Sequence, residues 1–345
     1  MSNQKVRVAH LGLGRWGKNI LRNLYELGVL EVACDPSPTI IAERSKQYPD
    51  LRFTTDSESV INDPSIQAVV ISTPAATHYT LAKAALKAGK DVFVEKPLSL
   101  RVKEGLELCK LAHEMGRILM VGHVLQFHPA ICKLKQMISV GDLGKINYLL
   151  SNRLNLGALR TEENILWSFA PHDISVMLLL FGESPLKVSA FGGDYLNKGI
   201  FDTTLSTLEF KNGAKSHIFV SWLHPFKEQK MVVVGSKAMV VFDDLAENKL
   251  MLYPHEVQWK DGKIPVAQMS DGRPVAIEPG EPLRLELVHF LRCVITREQP
   301  KTNGVEALRV LKILAALEQS LRDGNPVPVQ DTIDLQYIEE VRAVV

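Results

Sequence analysis

The stretch VAHLGLGRWGKNILRNLYELG, residues Val8 to Gly28, joins a short apolar run to a segment with helical periodicity. Three glycines, Gly12, Gly14 and Gly17, form the pattern GxGxxG at the junction. Where this pattern follows a strand and opens a helix, backbone N–H groups and the helix dipole attract a pyrophosphate, and the glycines leave room for it. The stretch therefore predicts a dinucleotide-binding turn, with a plain strand-to-helix connection as the alternative.

The next apolar run, LEVACD, ends in Asp35, at the separation expected for an acid that binds the adenosine ribose. A carboxylate about 4 Å from a 2′-phosphate would be repelled by roughly 4 kcal/mol per unit charge at an effective dielectric constant of about 20. Asp35 therefore favours NAD over NADP as the cofactor. The alternative is a turn or capping residue that precedes Pro36.

Up to about His123, short β-branched runs alternate with segments of helical spacing, as in AVVISTP, THYTLAKAALKAG and DVFVEKP. Strands that read as near-continuous apolar runs are typical of a parallel sheet covered on both faces. Residues 1–124 are therefore predicted to form an α/β domain of the Rossmann type, with a doubly wound parallel sheet.

After a helix near Pro129 the pattern changes to alternating segments joined by Gly and Asn turns, such as LKVSAFGGD and TTLSTLEFKNG. They predict an α+β domain over residues 125–345 with an open, largely antiparallel sheet, and its C-terminal helices could pack back on the first domain. The run MVVVGSKAMVVF is apolar on both faces, so we expect a homodimer or homotetramer that covers the open face. The tail IDLQYIEEVRAVV allows one more helix.

Composition excludes several classes of partner. With 40 basic and 39 acidic residues the chain has no overall field to attract nucleic acid or a membrane surface. The four cysteines are far apart, which argues against a disulfide framework, and no ligand spacing suggests a metal. The most apolar run, VMLLLF, is far shorter than the ~20 residues of a membrane helix, and the first residues lack the apolar core of a signal peptide, so a cytoplasmic location is predicted.

The stretch STPAATH, followed by ALKAGKDVFVEKPLS, is similar to the signature of the glucose–fructose oxidoreductase, inositol dehydrogenase and rhizopine-catabolism (Gfo/Idh/MocA) family of sugar dehydrogenases. Further matches, MVGHVLQFHPA, GDLGKI and APHDI, follow in the family's order, and the resemblance covers nearly the whole chain. It implies a first domain that binds a nicotinamide cofactor and a second that contacts substrate and packs in oligomers.

The cofactor residues that the resemblance and the strand ends imply share a place at the carboxyl edge of the first sheet. They are Gly12, Gly14, Arg15, Trp16, Gly17, Asp35, Ser72, Thr73, Pro74, His78, Glu95, Lys96 and His123.

Oxidation of a sugar hydroxyl needs a group to hold the reacting oxygen and a group to accept its proton. Lys96 ends the strand DVFVE, where its ammonium could stabilise the developing alkoxide, although it could also be a surface lysine in a turn. His172 matches the family's catalytic histidine and titrates in the right range for a base. The family usually has an Asp four residues earlier, where this chain has Ser168, so either Lys96 or His172 could be the main base. Asp173 could orient His172 or cap a helix.

The block SNRLNLGALRTEENILWSFAPHD places many polar side chains just before His172. It predicts a substrate rim, in which arginine would pair with phosphate or carboxylate, and a solvated surface is the alternative for any one residue. Glu163 also lies in this block, and the substrate-binding candidates are Lys96, Gln126, Arg153, Asn155, Arg160, Trp167, His172 and Asp173.

The pattern NRLNLG..R.EEN..W..APHD is similar to a subset of the family that oxidises C3 of UDP-N-acetylglucosamine. That resemblance implies a nucleotide-sugar substrate and functional coupling to an aminotransferase, which makes a 2,3-diamino sugar for lipopolysaccharide biosynthesis. The alternatives are the 6-carboxylate form of the same nucleotide sugar, another sugar or inositol, and a non-catalytic NAD-binding regulator. Such regulators tend to lose the lysine or histidine that this chain retains.

Overall fold

The computed structural model describes residues 5–157, 159–161 and 163–329. These residues form two compact units, one comprising 5–124 with Glu281–Leu311 and the other Leu125–Gly280 with 312–329. The tail from Ile333, for which the sequence allows a helix, lies outside the described residues. Among the described residues, no helix is both long and apolar enough to cross a membrane.

The first unit contains a six-stranded parallel sheet in the order β3-β2-β1-β4-β5-β6. Its strands are β1 (Val8–Leu11), β2 (Leu30–Cys34), β3 (Arg52–Thr54), β4 (Ala68–Ile71), β5 (Asp91–Glu95) and β6 (Leu119–Gly122). The helices up to residue 124 are α1 (Gly17–Glu26), α2 (Pro38–Gln47), α3 (Ser57–Asn62), α4 (Ala75–Lys87) and α5 (Val102–Glu114). The predicted doubly wound sheet is confirmed.

The strand order of this sheet reverses between β1 and β4, which pair directly, with Leu11 opposite Ile71. In open α/β sheets the ligand crevice lies beyond the carboxyl ends of the strands at such a point. β1 and β4 are buried along their whole length, which explains their continuous apolar sequence, because both faces of the sheet are covered. The turns after these two strands therefore define the first half of the candidate site.

The second unit contains a nine-stranded sheet in the order β16-β13-β12-β11-β7-β10-β9-β8-β17. Its strands are β7 (Ile146–Leu156), β8 (Lys187–Gly193), β9 (Thr203–Glu209), β10 (Lys215–Ser221), β11 (Leu223–Gly235), β12 (Met239–Asp243), β13 (Leu250–Tyr253), β16 (Arg273–Pro274) and β17 (Val327–Pro328). Within this sheet β7 and β10 pair in parallel, and the other described pairs are antiparallel. The prediction of a largely antiparallel sheet is confirmed.

Helices α6 (Pro129–Ser139) and α7 (Ile165–Phe181) pack on one face of the nine-stranded sheet. A separate hairpin joins β14 (Glu256–Lys260) to β15 (Ile264–Gln268). Two C-terminal helices follow, α8 (Pro282–Thr296) in the first unit and α9 (Gly304–Asp323). Helix α7 begins after Asn164, whose side chain accepts a hydrogen bond from Trp167 N, and ends at Gly182 in the left-handed region.

Candidate active site

The three glycines of the first turn lack a Cβ for different structural reasons. Gly12 has φ +94°, and a Cβ there would lie 2.7 Å from the backbone of Ser72 and Thr73. A Cβ on Gly17 would collide with the Gly12 carbonyl. A Cβ on Gly14 would meet no protein atom within 4 Å. Two glycines therefore allow the turn to pack against the end of β4, and the third borders open space where an anion could approach the backbone.

Asp35 follows β2 and is buried beside the glycine turn, with 6% of its surface exposed. One carboxylate oxygen accepts a hydrogen bond from Leu13 N at 2.8 Å, and the other accepts one from Ser37 N at 2.9 Å. The same side chain thus stabilises its own turn and places a fixed negative charge at the edge of the glycine turn. This location fits a ribose contact, since each carboxylate oxygen can accept a second hydrogen bond.

His10 supports this turn from inside β1, and the sequence reasoning did not select it. Its Nε2 lies 2.8 Å from the Ser72 hydroxyl, which donates to the Gly12 carbonyl at 2.8 Å. Full burial lowers the pKa of His10 to about 3, so the imidazole is neutral and donates from Nε2. The available signal was a polar residue inside an otherwise apolar strand.

His78 lies on α4 and is buried between two backbone carbonyls. Its Nδ1 is 2.7 Å from the Pro97 carbonyl oxygen, and its Nε2 is 2.8 Å from the Thr73 carbonyl oxygen. Because a carbonyl oxygen only accepts hydrogen bonds, each contact is a hydrogen bond when that ring nitrogen carries a proton. His78 therefore links the loop after β4 to the turn that follows Lys96.

Glu95 ends β5 as a buried carboxylate that accepts two N–H donors. The Trp16 indole N–H donates to Oε1 at 2.6 Å, and Lys96 N donates to Oε2 at 3.2 Å. Burial raises the pKa of Glu95 to about 6, against the opposing effects of the Trp16 bond and the Lys96 charge. A Cβ on Gly122 would lie 3.0 Å from the Glu95 carboxyl group, so the end of β6 leaves space for this acid.

Lys96 is partly buried next to Glu95, and His123 follows β6 nearby. Burial, together with the Lys96 charge, lowers the pKa of His123 to about 3. His123 is therefore neutral, and neither ring nitrogen has a hydrogen-bond partner among the described residues. Arg15 and Pro74 are exposed on the turns after β1 and β4. The carboxyl ends of β1, β2, β4, β5 and β6 thus carry the predicted cofactor residues at one edge of the sheet.

Asp173 does not cap α7, because Asn164 is the N-cap and Asp173 lies inside the helix. The capping interpretation of Asp173 was therefore wrong. Its Oδ2 accepts a hydrogen bond from Arg153 Nε at 2.9 Å, and its Oδ1 accepts bonds from Arg153 Nη2 at 3.2 Å and Ser151 Oγ at 2.7 Å. This buried pair fastens β7 to α7, and the adjacent residue on the helix, His172, remains only partly buried.

The polar block before His172 divides into different environments within the second unit. Trp167 and Ser168 are buried in the first turns of α7, and Ser168 lies one turn before His172 on the same helix. Asn155 is partly buried at the end of β7, whereas Arg160 is exposed, with Nε 3.9 Å from a Glu163 oxygen. Gln126 is buried, and its Nε2 donates to the Ser175 carbonyl at 3.2 Å.

Within the part of the chain that the structure describes, no group of three His, Cys, Asp or Glu side chains is arranged to hold a metal ion. The residues of the first unit do fit a dinucleotide. The open space at Gly14, the packed glycines on either side and the fixed acid at Asp35 are the features that a pyrophosphate and a ribose require.

Comparison with known proteins agrees with a first unit that binds NAD. Residues 6–123 match a family model described as an oxidoreductase family with an NAD-binding Rossmann fold, and residues 131–241 match the model of the GFO/IDH/MocA C-terminal domain. A scyllo-inositol 2-dehydrogenase (NAD(+)) of Bacillus subtilis is 28% identical over 337 residues, which cover 94% of this chain and 96% of that protein.

A UDP-N-acetylglucosamine 3-dehydrogenase of Acidithiobacillus ferrooxidans is 28% identical over 250 residues, which cover 71% of this chain and 76% of that protein. Its solved structure has a TM-score of 0.80 at 24% identity, covering 92% of this chain and 97% of that chain, and supports the fold alone. The two family models together cover most of the chain. The chain belongs to the Gfo/Idh/MocA oxidoreductase family and is an NAD-dependent dehydrogenase that acts on CH–OH groups.

Proposed function

We propose that the protein oxidises the C3 hydroxyl of a UDP-linked N-acetylhexosamine to the 3-keto sugar with formation of NADH. UDP-N-acetylglucosamine is the first candidate substrate. The observation that carries hydroxyl oxidation is the position of Lys96, at the carboxyl end of β5 beside the buried carboxylate of Glu95. A lysine in this position can hold the reacting oxygen while the glycine turn at the same sheet edge holds the cofactor.

This proposal assigns the NAD site to residues 1–124. Residues of this first unit bind the cofactor and stabilise the charge that develops on the substrate. Backbone N–H groups around Gly14 hold the pyrophosphate, and Asp35 accepts hydrogen bonds from the ribose hydroxyls. When bound, NAD supplies the hydride acceptor. Lys96 donates a hydrogen bond to the substrate oxygen and stabilises its developing negative charge. Arg15, Trp16, Ser72, Thr73, Pro74 and His123 border the cofactor, and His78 and Glu95 hold the backbone and side chain around Lys96.

The second unit supplies the base and the substrate contacts in this proposal. His172 accepts the hydroxyl proton, with Lys96 as the alternative base. Arg160 is exposed and can reach a diphosphate in solvent, whereas Arg153 already donates two hydrogen bonds to Asp173 and offers its remaining N–H groups. Gln126, Asn155, Trp167 and Asp173 complete the proposed substrate side.

An inositol is the second candidate substrate, and a specific observation favours it. The Arg153 charge is neutralised by Asp173 in a buried pair, so the arginine nearest to α7 is less suited to hold a diphosphate. An inositol ring carries no charge and needs no such anchor. The inositol dehydrogenase of Bacillus subtilis also matches this chain over a larger share of its length than the nucleotide-sugar enzyme does.

The open face of the nine-stranded sheet supports a homodimer or homotetramer built through residues 125–345. Phe191, Leu205 and Phe219 lie side by side across β8, β9 and β10, and the first two are 66% and 47% exposed. A contiguous apolar surface of this kind is costly in water and is commonly covered by a second copy of the same chain. A monomer in sedimentation at micromolar concentration would contradict this assembly.

A substrate panel tests the proposed reaction. The protein is incubated with NAD and UDP-N-acetylglucosamine, its 6-carboxylate analogue, scyllo-inositol, myo-inositol or free sugars, and NADH fluorescence is followed. Because the ketone and NADH can react backwards, each nucleotide sugar is also assayed with an aminotransferase and an amino donor, which should pull the reaction towards a 3-amino product detected by mass. If only the 6-carboxylate analogue is oxidised, that analogue becomes the assigned substrate. If only inositols or free sugars are oxidised, the nucleotide-sugar proposal is refuted.

A further inference from the structure

Within the first unit, side chains on one face of β5 contact side chains of helix α8. Asp91, Phe93 and Glu95 point to the same side of the strand because side chains alternate. Arg297, which caps α8, donates to both carboxylate oxygens of Asp91 at 2.6 and 3.0 Å. Phe290 packs edge-on against Phe93, with ring centroids 5.7 Å apart.

This arrangement places Glu286 next to Glu95. Four helical residues rise about 6 Å, and two strand residues rise about 6.6 Å. Since Phe290 lies against Phe93 and the two elements run in opposite directions, the residue one helical turn earlier, Glu286, lies against Glu95. Glu286 is fully buried, at 0% exposure.

The two acids have opposite surroundings. Glu95 accepts hydrogen bonds from Trp16 Nε1 and Lys96 N and lies beside the Lys96 charge. Neither carboxyl oxygen of Glu286 has a hydrogen-bond partner among the described residues. A buried carboxylate without donors is strongly disfavoured, so Glu286 is the protonated member of this pair and Glu95 is the ionised one.

The other charged groups that face α8 already have partners. On α1, Arg22 pairs with Glu281 and Glu26 pairs with Arg284. On β5, Asp91 pairs with Arg297. None of these three pairs compensates a charge on Glu286.

We propose that Glu286 is a neutral carboxylic acid beside the Glu95 carboxylate, and that it is a positioning residue because its neutrality limits these two acids to one negative charge beside Lys96. Burial, and then the negative charge of Glu95, raise the pKa of Glu286 well above its ordinary value of 4.5. A single charge on the pair matches the single ammonium of Lys96, whereas two would leave an uncompensated charge at the cofactor edge. The catalytic consequence rests on the role proposed for Lys96, but the protonation of Glu286 does not.

The stability of the protein without cofactor or substrate tests the protonation directly. A carboxyl group whose pKa is raised in the folded state stabilises that state fully below its unfolded pKa, and this stabilisation is lost as pH rises towards the folded pKa. Wild-type melting temperature should therefore fall above about pH 5 more steeply than that of Glu286→Gln, by roughly 2 °C per pH unit. The amide can add a constant offset, but it cannot titrate, so the slope is the informative quantity.

Glu281→Gln is the matched control because it makes the same Glu-to-Gln change at the N-cap of the same helix. Glu281 is exposed and paired with Arg22, and although desolvation acts in the opposite direction, hydrogen bonds from Asn23 and Arg22 lower its pKa. It is ionised in both folded and unfolded chains above about pH 5, so its slope should match wild type. Parallel slopes for wild type and Glu286→Gln would overturn the proposal.

A measurement on the wild-type protein keeps the test valid if Glu286→Gln fails to fold. Ordinary carboxyl groups are ionised at about pH 7.5, so an infrared carbonyl stretch of a protonated carboxylic acid at this pH reports a buried neutral acid. Absence of that band would contradict a neutral Glu286.

The positioning role is tested by the pH dependence of kcat/KM. Ionisation of Glu286 at alkaline pH would add a second negative charge near Lys96 and stabilise its ammonium, so the alkaline limb of the wild-type profile should lie at higher pH than that of Glu286→Gln, which cannot ionise. Glu281→Gln should keep the wild-type limb. Coincident profiles for wild type and Glu286→Gln would refute the positioning role. Failure of the proposed function would be distinct, because Lys96→Met would then retain turnover while the melting slopes remained as expected.

Discussion

The two units of the chain place their polar side chains in different ways. In the first, residues from five strand ends meet at one edge of a parallel sheet, and short backbone turns fix each of them. In the second, the polar block before His172 separates into a buried ion pair, buried helix residues and an exposed arginine. Parallel strands bring their carboxyl ends together whatever their sequence, whereas a stretch of polar residues carries no such constraint.

Lys96→Met probes the first unit most severely. The methionine has a similar length but no ammonium, so the substrate oxygen loses its proposed donor, and kcat should fall by at least ~10³-fold. The Kd for NADH, measured by fluorescence, should stay within about threefold of wild type, because Lys96 is not assigned to the pyrophosphate. Lys87→Met, on the exposed last turn of α4, is the control and should keep full turnover. Substantial turnover in Lys96→Met would remove this residue from the chemistry.

His172→Asn tests whether the second unit supplies the base. General-base catalysis contributes ~10²–10⁴-fold, so kcat should fall by at least ~10²-fold. Binding of NADH should not change, since the proposal does not assign His172 to the cofactor. His113→Asn, on the exposed surface of α5, serves as the comparison. Near-wild-type turnover in His172→Asn would transfer the base role to Lys96 or to water.

Two variants of the glycine turn separate the effect of an added Cβ on stability from its effect on NAD binding. Gly17→Ala should cost about 1–3 kcal/mol of unfolding free energy, because its Cβ would collide with the Gly12 carbonyl, which is backbone and cannot rotate away. Gly14→Ala has open space around the added atom and should melt like wild type. Both should weaken NAD binding by about tenfold or more, as measured by titration. If Gly14→Ala bound NAD normally, the pyrophosphate would lie elsewhere.

How far the sequence could predict this site depends on the range of the interactions. The glycine turn, Asp35 and Lys96 were predictable because strand, turn and helix signals lie within a few residues of each other. Asp173 was misassigned as a possible cap because its partner Arg153 is on a strand whose register only the folded sheet fixes. Glu286 gave no local signal, since its importance depends on helix α8 meeting β5 from a distant part of the chain.

Asp35 should favour binding of NAD over NADP, and this effect should be smaller than the losses of turnover predicted above. Its carboxylate is fixed by Leu13 N and Ser37 N, so it cannot rotate away from a 2′-phosphate. After allowance for screening by solvent, NAD should bind at least ~10-fold more tightly than NADP. Titration with each reduced cofactor measures the ratio, and Asp35→Asn, which removes the charge but keeps an acceptor, should reduce it. Equal affinities in wild type would contradict the electrostatic interpretation.

The smallest expected effect separates the two arginines of the polar block. Arg160→Ala should raise KM for UDP-N-acetylglucosamine by about 3–10-fold with little change in kcat, because an exposed arginine contributes to ground-state and transition-state binding alike. Its KM for an inositol should not change, since that ring has no diphosphate.

Arg153→Ala should behave differently, because it leaves Asp173 buried without its charged partner. We expect a loss on the order of 3–5 kcal/mol of unfolding free energy, seen as a lower melting temperature, whichever substrate is used. A double variant, Arg153→Ala with Asp173→Ala, should recover part of that stability, because the unpaired charge is gone. Equal KM increases in both single variants at unchanged stability would mean that Arg153 faces the substrate and that the polar block is one continuous rim.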